Sequence, residues 1–149
     1  MDAPVEVDSV LVPIDGSDEA VEAVEYAIAI AARYDASVHA MYVLGEEASR
    51  AIEDGTVDDD GMVSEARSVF ASIADVAERE GVPFTHSVAV GFSTTRKLVH
   101  PGSVILDAAE QIDADFIVVP RETGLDEEDV LEKAAEYVLS YASQPVLSV

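Results

Sequence analysis

The 149-residue chain contains no cysteine and no tryptophan. Without cysteine it can form no disulfide, bind no metal through thiolates and use no cysteine nucleophile. No apolar run approaches the ~18 residues that a transmembrane helix needs, so we expect no membrane span. The opening MDAPVEVDS is acidic and lacks the basic segment of a secretory signal. We therefore expect no signal peptide and a cytoplasmic protein.

Basic residues are also scarce, with 8 Lys and Arg against 31 Asp and Glu and a formal net charge of −23. Such a surface repels phosphates, which argues against nucleic acid and anionic membranes as partners. At ~1 M salt the Debye length falls to ~3 Å and this self-repulsion is screened. We interpret the imbalance as adaptation to a salt-rich cytoplasm of the halophilic archaeal type. A solvated acidic surface with no specific role is the alternative.

The apolar fraction of 49% supports a folded core, and the length suits one domain, predicted over residues 1–149. Strand-like and helix-like segments alternate, which predicts βαβ units. The fold class is therefore α/β: a five-stranded parallel open sheet, Rossmann-like, with helices on both faces. Predicted strands cover residues 9–14, 38–44, 84–90, 115–120 and 145–149.

Helical spacing of apolar residues predicts which helix faces are buried. In the first helix the inward stripe is Val21, Val24, Ile28 and Ala31. A helix over residues 60–80 should end at Gly81, and Ser103 should cap a short helix that follows. The last helix should bury Val130, Leu131, Ala134, Val138 and Leu139.

Ligands of open parallel sheets bind beyond the carboxyl ends of the strands. This rule selects residues 13–17, 43–46, 90–102 and 120–126 as site candidates. No group of His, Asp and Glu has metal-ligand spacing, and no serine has the strand-elbow context of a nucleophile. We therefore expect no metal site, no catalytic residues and no enzyme activity.

Three segments carry a family resemblance: VLVPIDGS at residues 10–17, DADFIVV at 113–119 and AEYVLSYASQPVLSV at 135–149. They resemble the opening strand, fourth strand and last helix and strand of the universal stress protein family. The resemblance implies a five-stranded α/β domain that acts in stress responses. It also implies a homodimer through the last strand, here Pro145, Val146, Leu147, Ser148 and Val149.

The ATP-binding branch of that family uses a Gly-x-x-Gly loop after the fourth strand and then Gly-Ser or Gly-Thr. Here the first glycine is replaced by Pro120 and the second by Thr123, with Gly124 one residue later. The pair Glu132-Lys133 stands where Gly-Ser is expected, and residues 126–129 are all acidic. Carboxylates repel phosphates, so the sequence predicts no ATP binding and no cofactor, with ATP or AMP as the less favoured alternative.

Other positions match the adenosine pocket of the family. The resemblance implies ligand contacts from Pro13 and Asp15 after the first strand and from Val43 in the second. Asp15 would accept hydrogen bonds from ribose or adenine; a turn carboxylate that binds nearby amides is the alternative. For Val43 the alternative is a core role.

The segment at residues 91–102 holds the only adjacent basic pair, Arg96-Lys97, together with Gly91 and His100. With Arg121, these cations could bind an anion at the ligand edge. The alternative is a network of surface ion pairs. His39 and His86 lie on predicted strands, and we expect structural roles for them.

The sequence thus predicts a non-catalytic, homodimeric regulatory or interaction domain that does not bind ATP. The alternative is a small-molecule binder, for a nucleotide or another anion, with a remodelled pocket. A third hypothesis, an ATPase or nucleotidyl-transfer enzyme, lacks a P-loop. The sequence identifies no protein partner and no stress signal.

Overall fold

The computed structural model describes residues 6–15, 18–44, 59–90, 101–120 and 130–149. Within these ranges strand and helix alternate along the chain. The strands are β1 (Ser9–Ile14), β2 (Ser37–Leu44), β3 (Phe84–Val90), β4 (Phe116–Val119) and β5 (Val146–Ser148). The helices are α1 (Asp18–Tyr34), α2 (Asp59–Arg79), α3 (Pro101–Gln111) and α4 (Val130–Tyr141).

The five strands form one sheet in the order β3-β2-β1-β4-β5, and every pairing is parallel. This confirms the predicted fold class. Between β1 and β2 the register runs from Ser9 opposite Ser37 to Ile14 opposite Tyr42. The chain first builds outward from β1 through β2 to β3 and then returns to place β4 on the other side of β1. The switch point of the sheet therefore lies between β1 and β4.

The two sides of the sheet are covered by different helices. One core cluster joins α1 and α2 to Val10, Val12 and Ile14 of β1, and we call this side the α1/α2 face. The second cluster joins α3 and α4 to Leu11, and we call this side the α3/α4 face. The division follows from the two-residue period of a strand, which sends successive side chains to opposite faces.

Three helices end with the same backbone pattern. Gly81, two residues beyond the end of α2, has a φ of +70°, as the sequence predicts for a glycine in this position. Asp35 and Asp113 occupy the same left-handed region after α1 and α3, with φ of 57° and 54°. In each case the next residue donates a backbone bond to the carbonyl five residues earlier, such as Ala36 N to Ala31 O at 2.8 Å.

Several predicted boundaries need correction. Helix α3 begins at Pro101 rather than with a cap at Ser103, because the fixed φ of proline suits the first turn of a helix. Strand β5 is limited to Val146–Ser148. Strand β4 begins at Phe116, and the Asp115 carboxylate before it accepts bonds from the amides of Asp8 and Ser9 at 2.9 and 3.1 Å.

Two side chains predicted to be buried are half exposed, Val21 at 54% and Leu139 at 52%. Val21 sits at the rim of a groove between α1 and α2. In α4 the neighbouring Val138 occupies the core position and is fully buried. The helical period predicts the direction of a side chain but not the distance to the next helix.

Candidate functional site

The candidate site lies at the carboxyl edge of the sheet, around the switch point. Asp15 directly follows β1 and is partly exposed, while Pro120 directly follows β4 and is buried. Since β1 and β4 are neighbours in the sheet, these two residues flank the crevice in which open α/β sheets bind ligands.

Two further predicted residues line the strands that lead to this edge. Pro13 lies within β1 opposite Met41 and is buried. Val43 lies near the end of β2 and belongs to the core cluster of the α3/α4 face, with Leu11 and Met41. The packing of Val43 agrees with the core role that the sequence left open. Of the four described positions, Asp15 is the one that offers a partly exposed polar side chain.

Pro120 limits the hydrogen bonds that the β4 side of the crevice can make. A proline has no backbone N–H, so the chain cannot donate an amide hydrogen bond to a phosphate at the first position after β4. Pro120 is also buried, which leaves little room for a group larger than its ring. Among the described residues after β4, Pro120 thus offers none of the backbone N–H groups that anion-binding loops present.

The remaining predicted site residues fall outside the described ranges, so their convergence on an anion stays a prediction. They are Gly91, Arg96, Lys97, His100, Arg121, Thr123 and Gly124. The acidic residues 126–129 also lie outside the described ranges.

A close contact between α3 and α4 was not predicted. Gly102 lies in the first turn of α3, and a Cβ atom added there would lie 2.4 Å from Tyr137 Cβ and 2.5 Å from Tyr137 Cδ1. The Tyr137 ring also lies 4.7 Å from the Tyr141 ring, centroid to centroid. A glycine in a first helical turn, read together with tyrosines four residues apart on α4, is the signal that could have indicated it.

A cluster of polar side chains lies on β2 and β3, away from the crevice. His39 Nδ1 is 2.7 Å from Thr85 Oγ1, and His39 Nε2 is 2.9 Å from Ser87 Oγ. Burial lowers the pKa of His39, and the nearby His86 lowers it further. The His86 ring stacks on Phe70 with centroids 4.3 Å apart. These contacts agree with the structural roles expected for the two histidines.

Within the described residues, no group of three or more His, Cys, Asp or Glu side chains could hold a metal ion. None of the helices in these ranges has the length and hydrophobicity of a transmembrane segment.

Nearly the whole chain matches a known family. Residues 6–149 match the universal stress protein family, so the chain belongs to it. A universal stress protein of Methanocaldococcus jannaschii is 31% identical over 145 residues, covering 94% of this chain and 80% of that protein.

Solved structures agree on the fold. A universal stress protein of Archaeoglobus fulgidus, solved in complex with dAMP, superposes with a TM-score of 0.66 at 20% identity and covers 97% of this chain and 98% of its own. Another universal stress protein, solved in complex with cAMP, gives a TM-score of 0.68 at 20% identity, with 97% of each chain covered. At this identity the likeness concerns the fold alone.

Proposed function

We propose that this universal stress protein is a non-catalytic regulatory or interaction module that does not bind ATP. Pro120 is the observation that carries the proposal. It stands at the switch point where a phosphate-binding loop would begin, and it is buried and has no amide to donate.

The charge of the chain supports the same proposal. The net charge of −23 includes four consecutive acids at residues 126–129, soon after β4 in the sequence. Two unit charges ~4 Å apart repel by about 1 kcal/mol in bulk water and by about 4 kcal/mol near a protein surface. A triphosphate at this edge would meet that repulsion without the backbone donors that offset it.

A second candidate function is binding of a nucleotide with a single phosphate. Fold neighbours have been solved with dAMP and with cAMP, and one phosphate demands fewer donors than three. The partly exposed Asp15 at the end of β1 would accept hydrogen bonds from the nucleoside.

Thermal shift measurements with ATP, AMP and cAMP in concentrated potassium chloride distinguish the two candidates. The first predicts no shift with any of them. The second predicts a shift with AMP or cAMP that Asp15→Asn removes and that Glu110→Gln, an exposed acid on α3, leaves intact. Any reproducible shift with ATP would refute the first candidate.

We also propose that the module is a homodimer through β5. Strand β5 is the end strand of the sheet. Ile117 N donates to Pro145 O and Val149 N donates to Val119 O, so the backbone groups of Val146 and Ser148 point to the other side. Such an edge is a template for pairing with a second strand.

Light scattering at high salt tests the dimer with a matched pair of variants. Ser148→Pro removes one outward N–H and should yield monomers, whereas Ser148→Ala keeps that N–H and should remain dimeric. A wild-type monomer at all concentrations would disprove this part of the proposal.

Finally, we propose that the acidic surface is an adaptation to a salt-rich cytoplasm. Self-repulsion among 31 acids against 8 basic residues opposes the compact state unless salt screens it. Dialysis from molar potassium chloride into dilute buffer should reduce the helical circular dichroism signal. An unchanged spectrum would contradict the adaptation.

A further inference from the structure

The α1/α2 face carries an open apolar groove that the ligand crevice does not include. The groove has a volume of about 260 Å³ and runs between the two helices. Its aliphatic lining comes from the end of β1 and from both helices: Ile14, Ala20, Val21, Val24, Ile28, Val69, Ile73 and Val76. Val21 and Val76 are 54% and 36% exposed, so apolar surface remains in contact with water.

The lining residues repeat with the same spacing on both helices. On α1 they are residues 21, 24, 25 and 28, and on α2 they are 69, 72, 73 and 76. Positions i, i+3, i+4 and i+7 form one face of a helix. Two such faces side by side form a groove into which the apolar stripe of a third helix can pack. The axis of that helix would lie at the usual distance of roughly 8–10 Å from the axes of α1 and α2.

The polar groups in the lining do not suit a small polar ligand. The Ser72 hydroxyl donates to the Ser68 carbonyl at 3.2 Å, within its own helix. Glu25 is exposed and contributes negative charge at the rim. The groove therefore offers apolar contact along its length and acidic contact at its border.

Further charges beside the groove favour a basic occupant. Glu22 on α1 and Asp75 on α2 are exposed, and so is Glu80, the first residue after α2. Arg79 on α2 carries the opposite charge, and its Nε donates to the backbone carbonyl of Asp75 at 3.3 Å. A second copy of this acidic chain would bring like charges together, and an anionic membrane would be repelled.

We propose that the α1/α2 groove binds an amphipathic helix of a partner protein, with an apolar stripe seated between the helices and lysine or arginine on its flanks. Helix-in-groove binding of this kind is a common mode of peptide recognition. The inference rests on the proposed role as an interaction module and adds the chemistry of the partner.

The test uses the full chain and a synthetic helical peptide of roughly 14 residues, about the shortest length at which helices form. Leucines stand at i, i+3, i+4 and i+7, and lysines at the other positions. Two controls accompany it: a scrambled peptide of the same composition and a peptide with glutamate in place of lysine. Binding is followed by fluorescence anisotropy in low and in molar potassium chloride.

The lysine peptide should bind, and each control should bind at least about tenfold more weakly, a difference of ~1.4 kcal/mol. Equal binding of the scrambled peptide would mean that charge alone attracts it, and equal binding of the glutamate peptide would mean that the rim charge plays no part. Either result, or no binding of the lysine peptide, would overturn the proposal.

Matched variants locate the binding surface. Val21→Gln with Val76→Gln should weaken binding about tenfold, since both lose apolar contact with the peptide. Leu139→Gln, which changes an equally exposed residue on α4, should have no effect. Glu22→Gln with Glu25→Gln should weaken binding in low salt and have little effect in molar salt, where rim charges are screened. An unchanged affinity for the valine variant would overturn the groove assignment.

The nucleotide titrations described above distinguish failure of the groove proposal from failure of the proposed function. Loss of peptide binding without any response to ATP would remove the groove proposal and leave the proposed function standing. A thermal shift with ATP, with peptide binding intact, would refute the proposed function and leave the groove proposal standing.

Discussion

The two faces of the sheet are covered in different ways by helix pairs of the same topology. On the α3/α4 face, Gly102 lets the two helices meet at Tyr137, and Ala109, Ala134 and Ala135 are buried between them and the sheet. On the α1/α2 face, valine and isoleucine side chains line an open groove between the helices. The α3/α4 face is thus closed where its helices meet at Gly102, and the α1/α2 face is open, with unfilled apolar surface between its helices.

The sharpest test of this difference is a matched pair of core truncations. Ile105 on the closed face is completely buried, and Ile73 on the open face borders the groove. We expect Ile105→Ala to lower the free energy of unfolding by about 4 kcal/mol and Ile73→Ala by about 2 kcal/mol, because a closed site retains the cavity that the truncation creates. Denaturant unfolding in high salt measures both, and equal losses would contradict the comparison.

A gain in volume should also harm the closed face. Gly102→Ala would place a Cβ atom 2.4 Å from Tyr137 Cβ, and overpacking of this kind costs about 1–3 kcal/mol. The loss should occur although alanine favours helix more than glycine does by about 1 kcal/mol. In a double-mutant cycle with Tyr137→Ala, the double variant should lose less free energy of unfolding than the sum of the two single variants. Full additivity would mean that the contact does not limit the approach of the helices.

One change on the closed face should stabilise the protein. Ser148 Oγ is a buried side-chain oxygen for which the described residues supply no hydrogen-bond partner. An unsatisfied buried polar group costs about 1–3 kcal/mol. We therefore expect Ser148→Ala to raise the free energy of unfolding by up to about 1 kcal/mol, since part of that cost is relieved. A clear destabilisation would show that the hydroxyl has a partner in solution.

The smallest expected effect is a pH dependence from His39. Its folded-state pKa is lowered from the ordinary value of 6.5, chiefly by burial and then by His86. The unfolded chain therefore binds the proton more readily, and the stabilising contribution present above pH 6.5 is lost as pH falls toward the folded-state pKa. His39→Gln should make the free energy of unfolding less dependent on pH below pH 6.5. An identical slope in wild type and variant would refute this assignment.

The sequence predicted the strands well because most of them are short apolar runs bounded by turn residues, while residues 84–90 were predicted from the alternation of their side chains. The same reasoning located Gly81, since glycine is the usual residue at a helix end with positive φ. It did not find Asp35 or Asp113 in that conformation, because aspartate adopts it less often. Exposure of Val21 and Leu139 was also missed, because periodicity contains no information on how closely neighbouring helices approach.

For the candidate site, the sequence predicted that Asp15 and Pro120 follow two strands at the carboxyl edge of the sheet, and the fold places them directly after β1 and β4. Their contact with a ligand stays a prediction. The contact of Gly102 with Tyr137 was not predicted, since it depends on the approach of two helices far apart in sequence. The cluster of His39, Thr85 and Ser87 was missed for a similar reason: it depends on the register of β2 against β3, which places His39 opposite Thr85.

We propose that Pro120 and the acidic residues 126–129 disfavour the binding of a triphosphate beyond the end of β4. Isothermal calorimetry of ATP against the full protein, in molar potassium chloride to screen general repulsion, tests it most directly. We predict no measurable binding up to millimolar ATP. Saturable binding with a micromolar dissociation constant and a stoichiometry of one per chain would show that the protein binds ATP and would refute this proposal.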